Sequence, residues 1–268
     1  MGANGTKLTL RAYTRLGLLA IWTLLVVPPA FVVKFLIPPI WWVIPRFYHA
    51  GIVRILGIKI VIKGKPVQNK AVLFVSNHIS WKDIPILGGT LKRASFISKS
   101  EVGGSFFARQ MAGLQKTIYV RRNRRTEAKK QSEEMAERIK AGDGLILFPE
   151  GTTTRGVHVN KFKSTLFSVA EMMIKAGHQD VIIQPITLSF THANNLAVLR
   201  AQRIKIGWVG TEDFWPHFKH ALVRRSTRVT LEYHDPIVCD EHLNRKALAQ
   251  HCEEVIREGL SRAHRDRG

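Results

Sequence analysis

The feature that most constrains this chain is an apolar segment close to its N-terminus. Between residues 16 and 45 the only charged side chain is that of Lys34. The run from Leu16 to Val33 has about the length that a membrane-spanning helix requires. However, Pro28 and Pro29 interrupt it after about 12 residues, roughly 18 Å of helix against a ~30 Å hydrocarbon core. The sequence therefore predicts two short helices in an apolar hairpin, shallow or re-entrant in the membrane, rather than one straight span.

The residues around this segment predict attachment at the cytoplasmic face of the inner (plasma) membrane. Pro38-Pro39 breaks a second apolar run, and Trp22, Trp41 and Trp42 are of the ring type enriched at membrane interfaces. By the positive-inside bias, cations on both sides of the segment keep both ends cytoplasmic. A hairpin buried in a protein core is the structural alternative. The flanking cations are Lys7, Arg11 and Arg15 before the segment and Arg46, Arg54, Lys59, Lys63 and Lys65 after it.

The charge balance indicates an anionic partner. The 268 residues include 41 Lys and Arg but 20 Asp and Glu, which gives a formal charge of +21. Nucleic acid, an anionic membrane surface and acidic substrates all fit that charge. A hydrophobic content of 45% excludes a disordered, collagen-like or coiled-coil chain. Cys239 and Cys252 are too few for a disulfide scaffold, so a reducing, cytoplasm-facing compartment fits best.

After residue 50 the pattern is typical of an α/β domain. Strands and amphipathic helices alternate, which favours a mixed, largely parallel sheet covered by helices. We therefore expect a membrane-associated helical segment over residues 1–50 and a catalytic domain over residues 51–268. The predicted strands are 58–62, 71–75, 144–148, 181–190 and 229–233, and the predicted helices are 126–140 and 163–176.

A histidine and an aspartate follow the strand predicted at residues 71–75. His78 lies just past that strand and Asp83 follows five residues later, near the start of a helix. On a continuous helix the two side chains would be ~140° apart, so they must meet through the loop. An imidazole held in one tautomer by a carboxylate is suited to act as a general base. The alternative is a helix-capping aspartate next to an ordinary loop histidine.

A tight turn follows the strand predicted at residues 144–148. In the sequence Phe-Pro-Glu-Gly-Thr-Thr-Thr-Arg, residues 148–155, proline and glycine favour a turn that exposes backbone N–H groups and the carboxylate of Glu150. That carboxylate is suited to accept hydrogen bonds from substrate hydroxyls. A plain connection between a strand and a helix is the alternative.

Taken together, the two motifs resemble those of the PlsC-type glycerolipid acyltransferase family. The resemblance covers residues 50–215. Asn-His-x-x-x-x-Asp is similar to the family's first block and Phe-Pro-Glu-Gly-Thr to its third. Lys99 with residues 119–121 resembles the second block, and Gln-Pro-Ile at residues 184–186 the fourth.

The resemblance implies roles for particular residues. His78 would remove a proton from the acceptor hydroxyl and Asp83 would orient it. The acceptor head group would be held by Lys99, Arg121, Glu150, Gly151, Thr152 and Arg155.

The resemblance also implies an acceptor and a donor. The acceptor expected first is 1-acyl-sn-glycerol-3-phosphate, and the donor is acyl-ACP or acyl-CoA, with no metal and no other cofactor. Lysophosphatidate enzymes commonly follow Glu-Gly-Thr with arginine, whereas Thr153 stands there in this chain. That form, with the insertion at residues 156–160, is similar to enzymes that acylate lyso-ornithine lipid, which is the alternative acceptor.

A mechanism by direct transfer follows from these parts. An acyl thioester is already activated, so the protein has to position a lipid hydroxyl and remove its proton. The sequence does not name the donors to the thioester oxyanion, for which the backbone N–H groups near residues 77–80 are candidates. Ser80 lies only two residues from His78, and direct transfer is simpler than an acyl-serine intermediate.

Two other classes of function are compatible with the charge. One is a non-catalytic protein that binds anionic lipids, and the other is a nucleic-acid-binding protein. No nucleic-acid recognition motif supports the second, and the apolar N-terminus argues against it. The expected partners are therefore membrane lipids and acyl carrier protein or acyl-CoA. A dense basic patch beside the expected head-group site comprises Arg121, Arg122, Arg124, Arg125, Lys129 and Lys130.

Overall fold

The structure is a computed structural model that describes residues 8–36, 42–68, 70, 72–99, 117–120, 142–175, 181–209, 213–239, 242 and 244–266. The helices in these ranges cover the two faces of a single sheet. They are α1 Leu10–Leu36, α2 Val43–Ile55, α3 Asp83–Thr90, α4 Ser168–Lys175, α5 Arg200–Ile206, α6 Phe214–Val223 and α7 Arg245–Arg265.

The sheet is mixed and mostly parallel at its centre, as predicted. Within the described residues its order is β1-β8-β6-β2-β5-β3-β4, and β7 and β9 pair with β6. The pairs β2/β6, β2/β5, β3/β5, β3/β4 and β1/β8 are parallel, whereas β6 runs antiparallel to β8. The strands are β1 Ile58–Lys63, β2 Val72–Ser76, β3 Ala94–Lys99, β4 Ile118–Val120, β5 Gly144–Leu147, β6 Val181–Ala193, β7 Leu196–Ala197, β8 Thr227–Tyr233 and β9 Ile237–Cys239.

Two hydrophobic clusters lie on opposite faces of the sheet. Side chains alternate between the faces of a strand, so Phe74 of β2 packs with Ile86 of α3 on one face. Val75, its neighbour in sequence, packs with Phe167 and Ile256 on the other face. All five residues of β2 are buried. Full burial of its four apolar side chains stabilises the fold by about 1.5–3 kcal/mol each, which fixes the strand that leads into the loop carrying His78.

The N-terminal region forms two helices, but the prediction of two short helices with a break at Pro28-Pro29 is wrong. Helix α1 continues through both prolines to Leu36, and α2 begins at Val43. Each proline removes one i→i−4 hydrogen bond, yet its fixed φ is compatible with a helix, so the turns on either side propagate through it. The stretch Leu10–Val33 is long and apolar enough to cross a bilayer, and little of it is buried in the protein.

Specific contacts hold α1 to the rest of the protein. The Trp22 indole donates to the Tyr48 carbonyl at 3.0 Å, and its ring lies where a Cβ on Gly51 would clash. The buried guanidinium of Arg15 donates to the carbonyls of Leu222 and Arg225 at 3.1 and 3.0 Å, and to that of Arg224. Arg15 thus caps the C-terminus of α6, where a cation is favourable.

The other predicted elements are found near their expected bounds. The strands predicted at residues 58–62, 71–75, 144–148, 181–190 and 229–233 correspond to β1, β2, β5, β6 and β8. The helix predicted at residues 163–176 is a 3₁₀ turn, Ser164–Phe167, followed by α4. The helix predicted at residues 126–140 lies outside the described residues. Helix α2 crosses residue 50, where the sequence placed a domain boundary.

Candidate active site

The two motif loops leave neighbouring parallel strands at the same edge of the sheet. β2 and β5 pair in parallel, with Val75 opposite Leu147. The loop after β2 carries His78, and the turn after β5 carries Glu150. Ligand sites in parallel sheets form beyond the carboxyl ends of the strands. The sheet topology therefore brings the two motifs together.

His78 and Asp83 meet through the loop, as their spacing predicted. The Nδ1 atom of His78 lies 2.8 Å from Oδ2 of Asp83, the first residue of α3. The same oxygen accepts the backbone N–H groups of Ile79 at 2.6 Å and Ser80 at 2.8 Å. Asp83 is fully buried, whereas the His78 side chain is 16% exposed. Two backbone donors thus fix the carboxylate, and the carboxylate orients the ring.

This arrangement determines which imidazole nitrogen is available as a base. Because Asp83 accepts, Nδ1 of His78 carries the hydrogen and Nε2 keeps a lone pair. The Phe148 ring stacks on the imidazole with centroids 4.0 Å apart and planes 14° apart. The stack and the hydrogen bond together restrict ring rotation. The partly exposed His78 can therefore take a proton from a hydroxyl.

Glu150 connects the two loops. Its carboxylate is buried, with Oε1 accepting the His78 backbone N–H and Oε2 that of Asn160, each at 2.8 Å. Burial raises the pKa of Glu150 to about 7, although the two amides oppose the shift. The sequence assigned this carboxylate to substrate hydroxyls. In the structure each of its oxygens accepts one backbone N–H of the protein, so the buried carboxylate links the two loops.

Three further contacts fix the catalytic loop to distant parts of the chain. The Asn77 side chain accepts the Leu188 N–H at 2.8 Å and donates to the Leu188 carbonyl at 3.0 Å. The N–H of Thr154 donates to the His78 carbonyl at 2.8 Å, and that of Trp208 to the Ile79 carbonyl at 2.9 Å. The base is thus tied to β6, to the Glu-Gly-Thr turn and to the segment after α5.

The turn after Glu150 has one exposed threonine followed by two buried ones. Thr152 is exposed, whereas Thr153 and Thr154 are 7% and 8% exposed. Arg155 is exposed beside them. Thr153, in the position where lysophosphatidate enzymes commonly carry arginine, thus points away from solvent.

The other residues predicted to bind the head group are Gly151, Lys99 and Arg121, and the structure fully describes the first of them. Gly151 adopts a φ of +69°, and a Cβ there would lie 3.0 Å from Nζ of Lys163, so glycine suits the turn. Lys99 ends β3 at the same sheet edge, but its side chain lies outside the described part. Arg121 and the rest of the basic patch also lie outside the described residues.

Of the four candidate amides for the oxyanion, at residues 77–80, three donate to side chains of the protein itself. The N–H of His78 donates to Glu150, and those of Ile79 and Ser80 donate to Asp83. Each donor is already used in fixing the base. These three amides are therefore not available to a thioester oxyanion, and of the four candidates the N–H of Asn77 is left.

A buried polar network beside the site was not foreseen from the sequence. Lys82 is 3% exposed and its Nζ donates to the Ile206 carbonyl at 3.0 Å. Burial lowers its pKa to about 7. His217 lies 3.0 Å from the same carbonyl and accepts the Trp81 indole N–H. Burial, with nearby Lys82, lowers the pKa of His217 to about 4, so it is neutral. The hydrophilic residue types gave no signal of this burial.

Across the described ranges, no group of three or more His, Cys, Asp or Glu side chains could hold a metal ion.

Comparisons with known proteins show the family of the chain. A family model described as Acyltransferase matches residues 58–189. The chain is 36% identical over 221 residues to the lyso-ornithine lipid O-acyltransferase of Brucella abortus, covering 82% of each chain. It is 28% identical over 121 residues to the 1-acyl-sn-glycerol-3-phosphate acyltransferase of Neisseria meningitidis, covering 45% of this chain and 47% of the other.

The fold agrees with a solved structure as well. The crystal structure of PlsC, a 1-acyl-sn-glycerophosphate acyltransferase from Thermotoga maritima, superposes with a TM-score of 0.56 at 18% identity. It covers 94% of this chain and 97% of that one. The chain belongs to the PlsC-type acyltransferase family. Its activity is therefore acyl transfer.

Proposed function

We propose that this protein transfers a fatty acyl group from an acyl thioester to the free hydroxyl of lyso-ornithine lipid at the membrane surface. The observation that supports lyso-ornithine lipid as the acceptor is how much of the chain matches relatives named for that lipid. Lyso-ornithine lipid O-acyltransferases of Brucella abortus and Rhodobacter capsulatus match 82% and 80% of the chain at 36% and 34% identity. The relative from Neisseria meningitidis named for 1-acyl-sn-glycerol-3-phosphate covers 45%.

The turn after Glu150 supports the same acceptor. A phosphate monoester is met best by a guanidinium, which binds it through two hydrogen bonds. Thr153 is buried where such an arginine would stand, and a threonine has no charge to offer. The structure describes the side chains of some of the predicted head-group residues, and the cation among these is the exposed Arg155. Arg155 suits the carboxylate of an ornithine head group.

In the proposed reaction His78 acts as the general base. The oxygen of the acceptor hydroxyl attacks the thioester carbonyl carbon, and Nε2 of His78 takes the hydroxyl proton at the same time. The tetrahedral intermediate then collapses, the C–S bond breaks, and the leaving thiolate takes the proton back from the imidazolium. Asp83 stabilises that imidazolium and fixes its orientation. Glu150 holds the backbone of His78 in place.

The proposal extends to the donor, the membrane and the head-group site. The thioester is carried by acyl carrier protein or coenzyme A, and no metal takes part. Residues 1–50 attach the protein to the cytoplasmic face of the inner membrane, and residues 51–268 form the catalytic domain. Lys99, Arg121, Gly151, Thr152 and Arg155 line the acceptor head group, with Glu150 ordering the turn that presents them.

The second acceptor is 1-acyl-sn-glycerol-3-phosphate, supported by the Neisseria meningitidis relative and by the other predicted cations of the site. A direct assay separates the two. Purified protein in detergent is incubated with a labelled acyl thioester and either lyso-ornithine lipid or lysophosphatidate, with acyl-ACP and acyl-CoA as donors in parallel. Turnover of lyso-ornithine lipid alone is expected. Turnover of lysophosphatidate alone would overturn the proposal that lyso-ornithine lipid is the acceptor. Turnover by His78→Ala equal to that of the wild-type protein would overturn the proposal that His78 is the general base.

A further inference from the structure

Five aromatic rings form a continuous ridge from the catalytic loop to the surface of α6. This aromatic ridge comprises Trp81, Trp208, Phe214, Trp215 and Phe218, with neighbouring centroids 5.4–6.0 Å apart. Trp81 lies inside the catalytic loop. At the other end, Phe214 and Trp215 are 45% and 47% exposed. Large apolar rings left in water at the edge of a packed cluster mark an interaction surface.

The exposed end of the ridge has the character of a membrane interface. His217, Ala221 and Leu222 of α6 are buried. Trp215 and Lys219, one turn apart, lie on the exposed side, with Lys219 Nζ 5.3 Å from the centre of the Trp215 ring. Tryptophan beside a cation is typical of proteins at the level of lipid head groups.

The charge around the ridge complements an anionic lipid surface. Between residues 200 and 225 the chain has six Lys and Arg but two acidic residues, Glu212 and Asp213. The cations among them that reach the surface are attracted to an anionic bilayer. The basic residues are Arg200, Arg203, Lys205, Lys219, Arg224 and Arg225, of which Arg203 is buried and does not contribute to the surface.

The ridge is also joined to the membrane-seeking helix. Arg15 of α1 donates to the carbonyls of Leu222, Arg224 and Arg225 at the end of α6. Along the axis of α6, Phe214 is about 12 Å from Leu222. Helix α1 exposes an apolar stripe of Leu18, Ile21 and Leu25. When α1 enters a bilayer, this capping contact holds α6 beside the same surface.

From these observations we propose that the exposed end of the aromatic ridge is a second membrane-contact surface, separate from the N-terminal hairpin. Its partner is the head-group region of an anionic bilayer. The contact places the bilayer surface next to the loop that carries His78, since Trp81 belongs to both loop and ridge. The membrane contact itself does not depend on the identity of the acceptor. Its kinetic consequence rests on the proposed function.

A site-directed fluorophore tests the contact without requiring activity. Cys239 and Cys252 are both buried, so a surface cysteine can be labelled selectively. Trp215→Cys and, in parallel, Phe214→Cys carry an environment-sensitive dye in the full-length chain. Val238→Cys, at a residue that is 64% exposed on β9, is the matched control. Vesicles of phosphatidylcholine and phosphatidylglycerol are added, and binding is verified by co-sedimentation.

We expect dye emission at positions 214 and 215 to shift to the blue on vesicle binding, and that at position 238 to stay unchanged. Aqueous emission at 214 and 215 in protein that co-sediments would overturn the proposal, as would equal shifts at all three positions. A shift at 215 caused by acyl carrier protein, and not by vesicles, would assign the surface to a protein partner and overturn it as well.

Kinetics test the consequence for catalysis. Trp215→Ser should raise the KM for an acceptor embedded in vesicles about tenfold, with kcat and the KM for a detergent-dispersed acceptor unchanged. Val238→Ser should change neither constant. A fall in kcat in both assays would show a merely structural role for Trp215. If the wild-type chain acylates neither acceptor, the proposed function fails while the fluorescence result stands.

Discussion

The Glu150 carboxylate and the His78 backbone N–H are joined by a 2.8 Å hydrogen bond across 72 residues of sequence. This bond ties the turn after β5 to the loop after β2. Since the other oxygen of Glu150 holds Asn160, one buried carboxylate orders three segments around the base. The glutamate of the Glu-Gly-Thr motif can therefore affect catalysis without touching the substrate.

Replacing either member of the His-Asp pair should abolish most of the activity with little change in fold. General-base catalysis contributes about 10²–10⁴ in rate, so His78→Ala should lower kcat by that range. Asp83→Asn should also lower kcat, since its amide can favour the wrong imidazole tautomer. Acyl transfer and thermal unfolding are measured on the same preparations. His251→Ala, at an exposed histidine of α7, is the control. Retention of full activity by His78→Ala would exclude the base assignment.

Glu150 should make the protein less stable as pH rises from about 5 to 7. Its pKa is raised from 4.5 to about 7 in the folded state, so folding favours the protonated form. The contribution is complete below pH 4.5 and is lost as pH passes the folded pKa, a change of a few kcal/mol at most. Glu150→Gln does not titrate and should lose this slope. Thermal unfolding at a series of pH values gives the comparison. Identical slopes in the two proteins would contradict it.

Lys82 should have the opposite effect at higher pH. Burial lowers its pKa from 10.5 to about 7, so the unfolded chain binds more protons between those values. The free energy of unfolding should therefore increase as pH rises from 7 towards 10. Lys82→Met keeps a similar shape without the charge and should remove that increase. Lys59→Met, on the exposed side of β1, should keep it. Chemical denaturation at pH 7, 8 and 9 measures all three proteins.

A methyl group on Gly207 should displace the turn at Thr154 and Arg155, which packs against Gly207. A Cβ there would lie 2.7 Å from both the Thr154 carbonyl oxygen and the Arg155 Cα. Relief of such an overlap costs about 1–3 kcal/mol and should shift the turn that holds the His78 carbonyl. We expect Gly207→Ala to lower both the melting temperature and kcat. Gly17→Ala, where a Cβ meets nothing within 4 Å, should lower neither.

The sequence alone predicted that His78 and Asp83 meet, because the two residues lie close together in the chain. A five-residue spacing cannot bring His78 and Asp83 together on a helix, so a loop had to do so, and their 2.8 Å contact confirms it. The sheet followed from short buried strands that alternate with helices. Both inferences used residues close together in the chain.

What sequence missed depends on contacts between distant segments. Asn77 bonds both backbone groups of Leu188, 111 residues away, and no local pattern announces that. The amides of the catalytic loop were candidates for the oxyanion because their acceptors could not be seen. The sequence also missed that α1 continues through Pro28-Pro29. The low helix propensity of proline was overridden there because the turns on both sides are helical.

The arrangement of the Glu-Gly-Thr turn has a consequence for how such enzymes diversify. Thr154 faces inward and anchors the histidine loop, while Thr152 and Arg155 lie open to solvent. Substitutions at Thr152 and Arg155 can change which lipid head group binds without moving His78. Engineering a new preference should therefore begin at these two positions.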